Sequence, residues 1–383
     1  MPQASVVIIG AGASGLSAAA ALQRRGIDPV VLERDCAVGG TWARRYDGLQ
    51  LHTARTHSGL AHRPIARRHP KYLSRDEYVA YLKDYAAHFS LRILTDCEVR
   101  RVRLRPAAPH MWEIHGGHDT WQAPVVIFAT GRYRIPRLPA DVGLERFAGE
   151  FTHSVDYRHA SDYTGKRVLV VGAGNSGAEI ATQLVRHGAA FVALSIRTPP
   201  TIVPREVLGI ATQRISLFLS LLPPRLADRM AETTARSTLG DLSRYGLPRA
   251  EWRLYSRGRV PVIDVGFVDA LKHGWVHVRP ALVSLTPTDA VFADGRSERF
   301  DALIAATGFT TGLETLLEAP GALNERGEPA QSGGEPTACP GLYFIGYTHG
   351  LRGQLFEAER ASHMLAANVV RYLKRAARAT SPA

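Results

Sequence analysis

The chain has 383 residues, 45% of them hydrophobic and 21% charged, which suits two domains with sizeable cores and excludes a disordered or fibrous protein. Its net charge of +12 rests on scattered arginines, with lysine only at Lys71, Lys83, Lys166, Lys272 and Lys374. A Lys/Arg run dense enough to track a phosphate backbone is missing, so no nucleic acid is expected as a partner and a preference for small anionic ligands is.

Cys36, Cys97 and Cys339 stand far apart, leaving neither a disulfide framework nor a Cys-x-x-Cys pair, which fits a reducing, cytoplasmic setting. The N-terminus lacks a basic region or a cleavage site, so a signal peptide is not expected. Ile215 to Leu222 is the most apolar stretch, bounded by Arg214 and Pro223 and far below the roughly 20 residues of a bilayer span. No transmembrane segment is expected.

Val6 to Ile9 reads as an unbroken apolar strand ending in Gly10; small and apolar residues through Arg25 suit a helix, and Val30 to Leu32 a second strand. Continuous apolar strands joined by a helix predict a βαβ unit in a parallel sheet covered on both faces. In Gly10-x-Gly12-x-x-Gly15 the first glycine permits the tight turn, the second lets a pyrophosphate approach the backbone, and the third lets helix and strand pack. Glu33, eighteen residues past Gly15 at the end of the second strand, is placed to accept hydrogen bonds from ribose hydroxyls.

Gly39-Gly40-Thr41-Trp42 follows, with glycines that permit close backbone approach to a flavin and Trp42 to wall it. His52, His57, His62 and His69 have no Cys or carboxylate pattern to complete a metal site, so none is expected, and the last three read as solvated loop residues. Ser74-Arg75-Asp76-Glu77 is a capping box, and Tyr78, Tyr81, Leu82 and Tyr85 at helical spacing extend a helix to about Phe89, with the aromatic stripe as core. Val125 to Gly131 is a strand ending in Ala129-Thr130-Gly131. Ile135-Pro136-Arg137-Leu138-Pro139 and Gly165-Lys166 read as chain crossings between domains.

The grammar repeats 162 residues on: Val168 to Val171, Gly172-x-Gly174-x-x-Gly177, a helix to about His187, then Phe191 to Ile196, and a later strand, Leu303 to Gly308, ending in Ala-Thr-Gly. Twenty residues past Gly177 the acid is replaced by Arg197, which can pair with the 2′-phosphate that a carboxylate would repel, so this half should prefer NADPH to NADH. Pro199 to Leu254 promises Arg-punctuated apolar helices with Ile210, Ile215, Leu217 and Leu219, read either as a substrate-pocket cover or as a packing or homo-oligomer surface. A helix is expected from about Glu357 to Leu373. No Gly-x-Ser-x-Gly elbow supports hydrolysis.

These motifs, in this order, resemble the single-component flavin-containing monooxygenases, and most closely the plant YUCCA-type branch that makes auxin. The resemblance spans nearly the whole chain. It is carried by both Gly turns, Glu33, Phe147-x-Gly149-x-x-x-His153-x-x-x-Tyr157, Gly174-Asn175-Ser176-Gly177-Ala178-Glu179 and Ala306-Thr307-Gly308-Phe309. Likeness to the YUCCA-type branch lies in Leu51-His52, Pro204 to Gly209, Pro261 to Gly266 and Gly341 to Gly346. The resemblance implies that NADPH reduces FAD, that O2 adds at flavin C4a, and that the hydroperoxide oxygenates a small organic substrate: an amine, a thioether or a 2-oxo acid such as indole-3-pyruvate. It places His153 and Tyr157 in the linker coupling the domains.

The expected architecture is α/β with two Rossmann-like domains: a discontinuous FAD domain (1–155 and 310–383), an inserted NADPH domain (156–309), and a helical pocket segment (199–254). Around FAD the resemblance places Gly10, Gly12, Ala13, Ser14 and Gly15, with Glu33, Arg34, Gly40, Thr41 and Trp42. Val99, Ala129, Thr130, Gly131, Gly346 and Gln354 complete the cofactor-binding set on that side. Around NADPH stand Gly172, Gly174, Asn175, Ser176, Gly177, Arg197, Thr307 and Gly308. His52 takes the flavin-facing place that animal-type relatives give to Asn and is the expected catalytic side chain. A Baeyer–Villiger monooxygenase and a nucleotide-sensing flavoprotein are the alternatives; a disulfide reductase is disfavoured for want of a Cys pair.

Overall fold

The computed structural model describes residues 1–105, 110–258, 260–348 and 352–380. They form two compact units: residues 1–43, 53–135 and 309–383 make the first, residues 44–52 and 136–308 the second. The sequence reading put residues 44–52 and 136–155 with the first domain; here both segments pack in the second.

The first unit is built on a five-stranded parallel sheet in the order Leu342–Phe344, Val126–Phe128, Val7–Ile9, Val30–Leu32, Ile93–Leu94. Its strands are short and almost wholly buried, as expected of β-branched runs covered on both faces. Val7–Ile9 pairs with Val30–Leu32 on one side and Val126–Phe128 on the other, so strand order reverses there, and the carboxyl ends of these strands are where open parallel sheets place their ligands. The helix Ala13–Gln23 packs along Gln354–Thr380, where the buried Ser362 hydroxyl lies 2.8 Å from that of Ser17. A small mixed sheet, in which Val99–Leu104, Trp112–Gly116 and Asp119–Ala123 pair antiparallel and Leu317–Glu318 joins the first in parallel, was not foreseen, because its strands carry no long apolar run.

The capping box forms as expected. Ser74 Oγ accepts from Glu77 N at 3.2 Å, Glu77 answers to Ser74 N at 2.8 Å, and the helix runs Arg75–His88 with Tyr78, Tyr81, Leu82 and Tyr85 buried. The C-terminal helix is longer than expected, 27 residues from Gln354 to Thr380, because Arg, Lys and Ala in its last turns are good helix formers.

The second unit repeats the plan: Val276–Arg279, Phe191–Ser195, Arg167–Val171, Ala302–Ala305, Glu150–His153, all parallel. Gly165-Lys166 is no crossing; it is the turn leading into Arg167–Val171 inside this unit, Gly165 N donating to Gly188 O. The chain passes between units at 43/44, 52/53, 135/136 and 308/309. His153 ends an edge strand and Tyr157 is fully buried in this unit's core beside Tyr46 and Tyr163, so both residues of the fingerprint belong to the second unit itself. In the 199–254 segment, Thr212–Leu219 and Pro224–Leu239 are helical, but Ile210 stands in a two-residue strand, Gly209 having turned the chain into a hairpin.

Candidate dinucleotide sites

The two Gly turns superimpose in their mechanics. Gly10 and Gly172 have φ +105° and +108°, a region L side chains avoid, and a Cβ on either would lie 2.8 Å from Ala129 O or 2.6 Å from Ala306 O. A Cβ on Gly15 would fall on the Gly10 carbonyl, and one on Gly177 on that of Gly172, so the third glycine is dictated by helix-on-strand packing. Gly12 and Gly174 differ from these: a Cβ there meets nothing within 4 Å. Each is also the N-cap of its helix without a side-chain cap, so the first-turn N–H groups of Ala13–Gln23 and Asn175–Arg186 face outward with the helix dipole behind them. Each unit thus carries one candidate cradle for a pyrophosphate.

Beyond the carboxyl ends of the first sheet, Glu33 is buried, its carboxylate accepting from Ala11 N at 2.6 Å and from Asp35 N at 3.0 Å. The turn itself therefore orients the acid. The neighbouring strand ends deliver buried Ala129, then Thr130, whose Oγ1 lies 2.6 Å from Tyr347 Oη, then Gly131 at φ +78° with open space before it. Burial pushes the Tyr347 phenol up to about 12. A Cβ on Gly346 would meet Ser14 Oγ at 2.5 Å, and Gln354 Nε2 donates to Gly346 O at 3.1 Å, so Ser14, Gly346 and Gln354 are neighbours at the same rim as Ala13.

Gly40 opens a short helix, Gly40–Ala43, where a Cβ would fall on the Asp35 carboxylate; Thr41 is exposed. Trp42 packs edge-on against Tyr78, centroids 5.0 Å apart, anchored on the aromatic stripe. Arg34 is exposed, while Val99 is buried in the core of this unit and so has no free side chain to offer a cofactor.

In the second unit Asn175 spends its side chain on structure: Nδ2 donates to Pro261 O at 3.0 Å and Oδ1 accepts from Ile263 N at 2.8 Å, leaving its backbone N–H, with that of half-buried Ser176, for a ligand. Thr307 Oγ1 donates to Arg137 O, and Gly308 has φ +86° with open space around it. Arg197 is exposed and makes no ion pair among the described residues, whereas Arg205 donates to Leu51 O at 2.8 Å and Gln50 Oε1 at 3.0 Å. Among the described residues, Arg197 is thus the guanidinium that the strand end offers without an ion-pair partner.

His52 stands in the second unit, on the segment Arg44–His52, with Nε2 2.5 Å from Glu179 Oε1. The other oxygen of the buried Glu179 carboxylate accepts from Tyr46 Oη at 2.8 Å. Burial, and then the carboxylate beside it, raise the Tyr46 phenol well above its ordinary value. Glu179 and Tyr46 were absent from the expected site; the available signal was a lone acid one turn past Asn175 on the same helix face, in an otherwise small and apolar helix start. His153, also buried, is lowered by that burial. Among the described residues no group of His, Cys, Asp and Glu forms a metal cluster, and no helix is long and apolar enough to cross a membrane.

A cavity of about 80 Å³ lies in the 199–254 segment, lined by Ile202, Leu239, Leu247 and Trp252 together with Arg236 and Arg249.

The model of the pyridine nucleotide-disulphide oxidoreductase family matches residues 7–206. The chain is 36% identical over 363 residues to an indole-3-pyruvate monooxygenase, YUCCA1 of Oryza sativa subsp. japonica, the match covering 92% of this chain and 89% of the relative. A flavin-containing monooxygenase from Stenotrophomonas maltophilia shares its structure with TM-score 0.76 at 26% identity, over 97% of this chain and all of that one. The OTEMO complex with FAD and NADP has the same fold, TM-score 0.75 at 18% identity, over 99% of this chain and 86% of that one.

Proposed function

The chain belongs to the pyridine nucleotide-disulphide oxidoreductase family, in its flavin-containing monooxygenase branch, and from that premise we propose that it oxygenates a small 2-oxo acid of the indole-3-pyruvate type, with FAD in the first unit and NADPH in the second. It is an NADPH- and FAD-dependent monooxygenase. The observation that carries the substrate class is the 36% identity to the rice indole-3-pyruvate monooxygenase along nearly the whole chain.

The chemistry of hydride uptake and oxygen activation comes from the bound cofactors; the chain's share is to bind, orient and exclude water. Gly12 and Gly174 fit that share, since each leaves a helix N-terminus open to a diphosphate. Glu33 suits ribose hydroxyls, and Arg197 suits a 2′-phosphate. His52, held against Glu179, is the side chain assigned to the reaction itself.

The test is a substrate screen following NADPH oxidation, peroxide release and product together. Indole-3-pyruvate and other aryl 2-oxo acids should raise NADPH oxidation without raising peroxide. Oxidation coupled only to a cyclic ketone, with an ester as product, would move the assignment to Baeyer–Villiger chemistry; coupling only to amines or thioethers would move it to heteroatom oxygenation.

A further inference from the structure

Both oxygens of the Glu179 carboxylate are taken by side chains from Arg44–His52. Tyr46 Oη donates to one at 2.8 Å, and His52 Nε2 stands 2.5 Å from the other. An ionised carboxylate only accepts, so the His52 nitrogen facing it must carry hydrogen. That leaves Nδ1 as the ring position open to a ligand, and in the neutral imidazole Nδ1 is an acceptor. A neutral His52 so held cannot donate to an oxygen species; it receives from an O–H or N–H.

The segment carrying His52 is pinned at several further points. Asp47 N donates to Arg158 O at 3.0 Å, Gln183 Nε2 to Asp47 O at 2.9 Å, and Arg205 Nη2 to Leu51 O at 2.8 Å. Glu179 and Gln183 lie on the helix Asn175–Arg186, which begins at the open Gly174, and Glu179 shares a face with Asn175 in its first turn. The His52 side chain is 24% exposed, so its free edge is reachable.

We propose that Glu179, supported by Tyr46, is a positioning residue that fixes the Nε2–H tautomer of His52, so that Nδ1 accepts a hydrogen bond from the nucleotide bound at the second Gly turn, from a ribose hydroxyl or the nicotinamide carboxamide. The proposal rests on the reading that this turn holds NADPH. Tautomer control of a ligand-facing histidine by the bond on its other nitrogen is a general device.

Glu179→Gln tests it in the FAD-loaded full chain. The Gln oxygen can still accept from Tyr46, which turns its NH2 toward His52 Nε2, and the ring must then carry its hydrogen on Nδ1. With 15N-labelled histidine, the His52 resonances should exchange their protonated and unprotonated nitrogens between wild type and variant, and the NADP+ dissociation constant should rise about fivefold to tenfold, the loss of one hydrogen bond. In a His52→Ala background, Glu179→Gln should add nothing to the loss of NADP+ affinity. An unchanged tautomer, or an equal further loss in the His52→Ala background, overturns the proposal. If Glu179→Gln does not fold, His52→Asn is compared with His52→Gln: an Asn amide overlays Nδ1 and should keep NADP+ affinity, whereas Gln overlays Nε2 and should lose it, and the reverse order overturns the proposal. A wild-type protein that binds no NADP+ overturns both the contact and the NADPH reading, while the 15N spectrum still separates the tautomer from that failure.

Discussion

Within each Gly-x-Gly-x-x-Gly turn only the middle glycine has open space beside it, and substitution should divide accordingly. Gly12→Val leaves the packing untouched and fills the cradle, so the protein should purify folded but colourless, read as a collapsed ratio of flavin to protein absorbance with an ordinary melting curve. Gly15→Ala drives a Cβ into the Gly10 carbonyl and should cost about 1–3 kcal/mol of stability, a lowered melting temperature being the readout. Full flavin occupancy in Gly12→Val would remove FAD from the first turn. Arg197→Ala should raise KM for NADPH about tenfold to a hundredfold with little change for NADH, since a charge-assisted pair is worth about 1.5–3 kcal/mol. Equal changes for both coenzymes would point to a different phosphate reader. His52→Ala should continue to oxidise NADPH while peroxide rises and product falls, because a nucleotide held less firmly couples reduction to oxygenation poorly; unchanged coupling with flavin still bound places His52 outside the reaction.

At the scale of elements, the strap Arg44–His52 and the helix Arg75–His88 show what can and cannot be read from the chain. The helix announced itself through a local code: Ser74 and Glu77 three apart, followed by an aromatic stripe at helical spacing. Ser74→Ala should therefore cost about 1 kcal/mol, a fall of about 2 °C in the melting temperature, and a melt unchanged within half that would show the cap to be dispensable. Both Gly turns and Glu33 were legible for the same reason, their meaning being contained in about thirty consecutive residues. The strap was not. Its partners Arg158, Glu179, Gln183 and Arg205 lie more than a hundred residues away, and no periodicity links a tyrosine and a histidine six apart to a glutamate in the helix Asn175–Arg186. The strands of the small mixed sheet escaped notice through composition: Val99–Leu104 mixes three arginines with three apolar residues, and it is held by pairing with Trp112–Gly116 on one side and with the distant Leu317–Glu318 on the other.

Across the whole molecule, buried phenols set how the protein meets alkali. Burial raises the Tyr81, Tyr343 and Tyr347 phenols to about 12 and pushes those of Tyr46, Tyr78, Tyr85 and Tyr157 well above the ordinary phenol value. An unfolded chain ionises its tyrosines near pH 10, so these groups bind protons more tightly when folded. Their contribution to stability is complete below about pH 10 and is lost as pH climbs from there toward about 12. The urea midpoint should hold steady from about pH 7 to 9 and fall beyond about pH 10, with Tyr347→Phe falling less steeply; a midpoint flat to about pH 11.5 would contradict this. Covalent continuity matters at this scale too. With the chain passing between units at four points, a second unit excised as the single stretch 136–308 would leave Tyr46 and His52 behind and strand the Glu179 carboxylate in its interior. Breaking a buried pair in that way costs about 3–5 kcal/mol. The second unit is thus no portable cassette: a chimera that trades this unit between relatives has to transplant two pieces of chain, one of them only nine residues long.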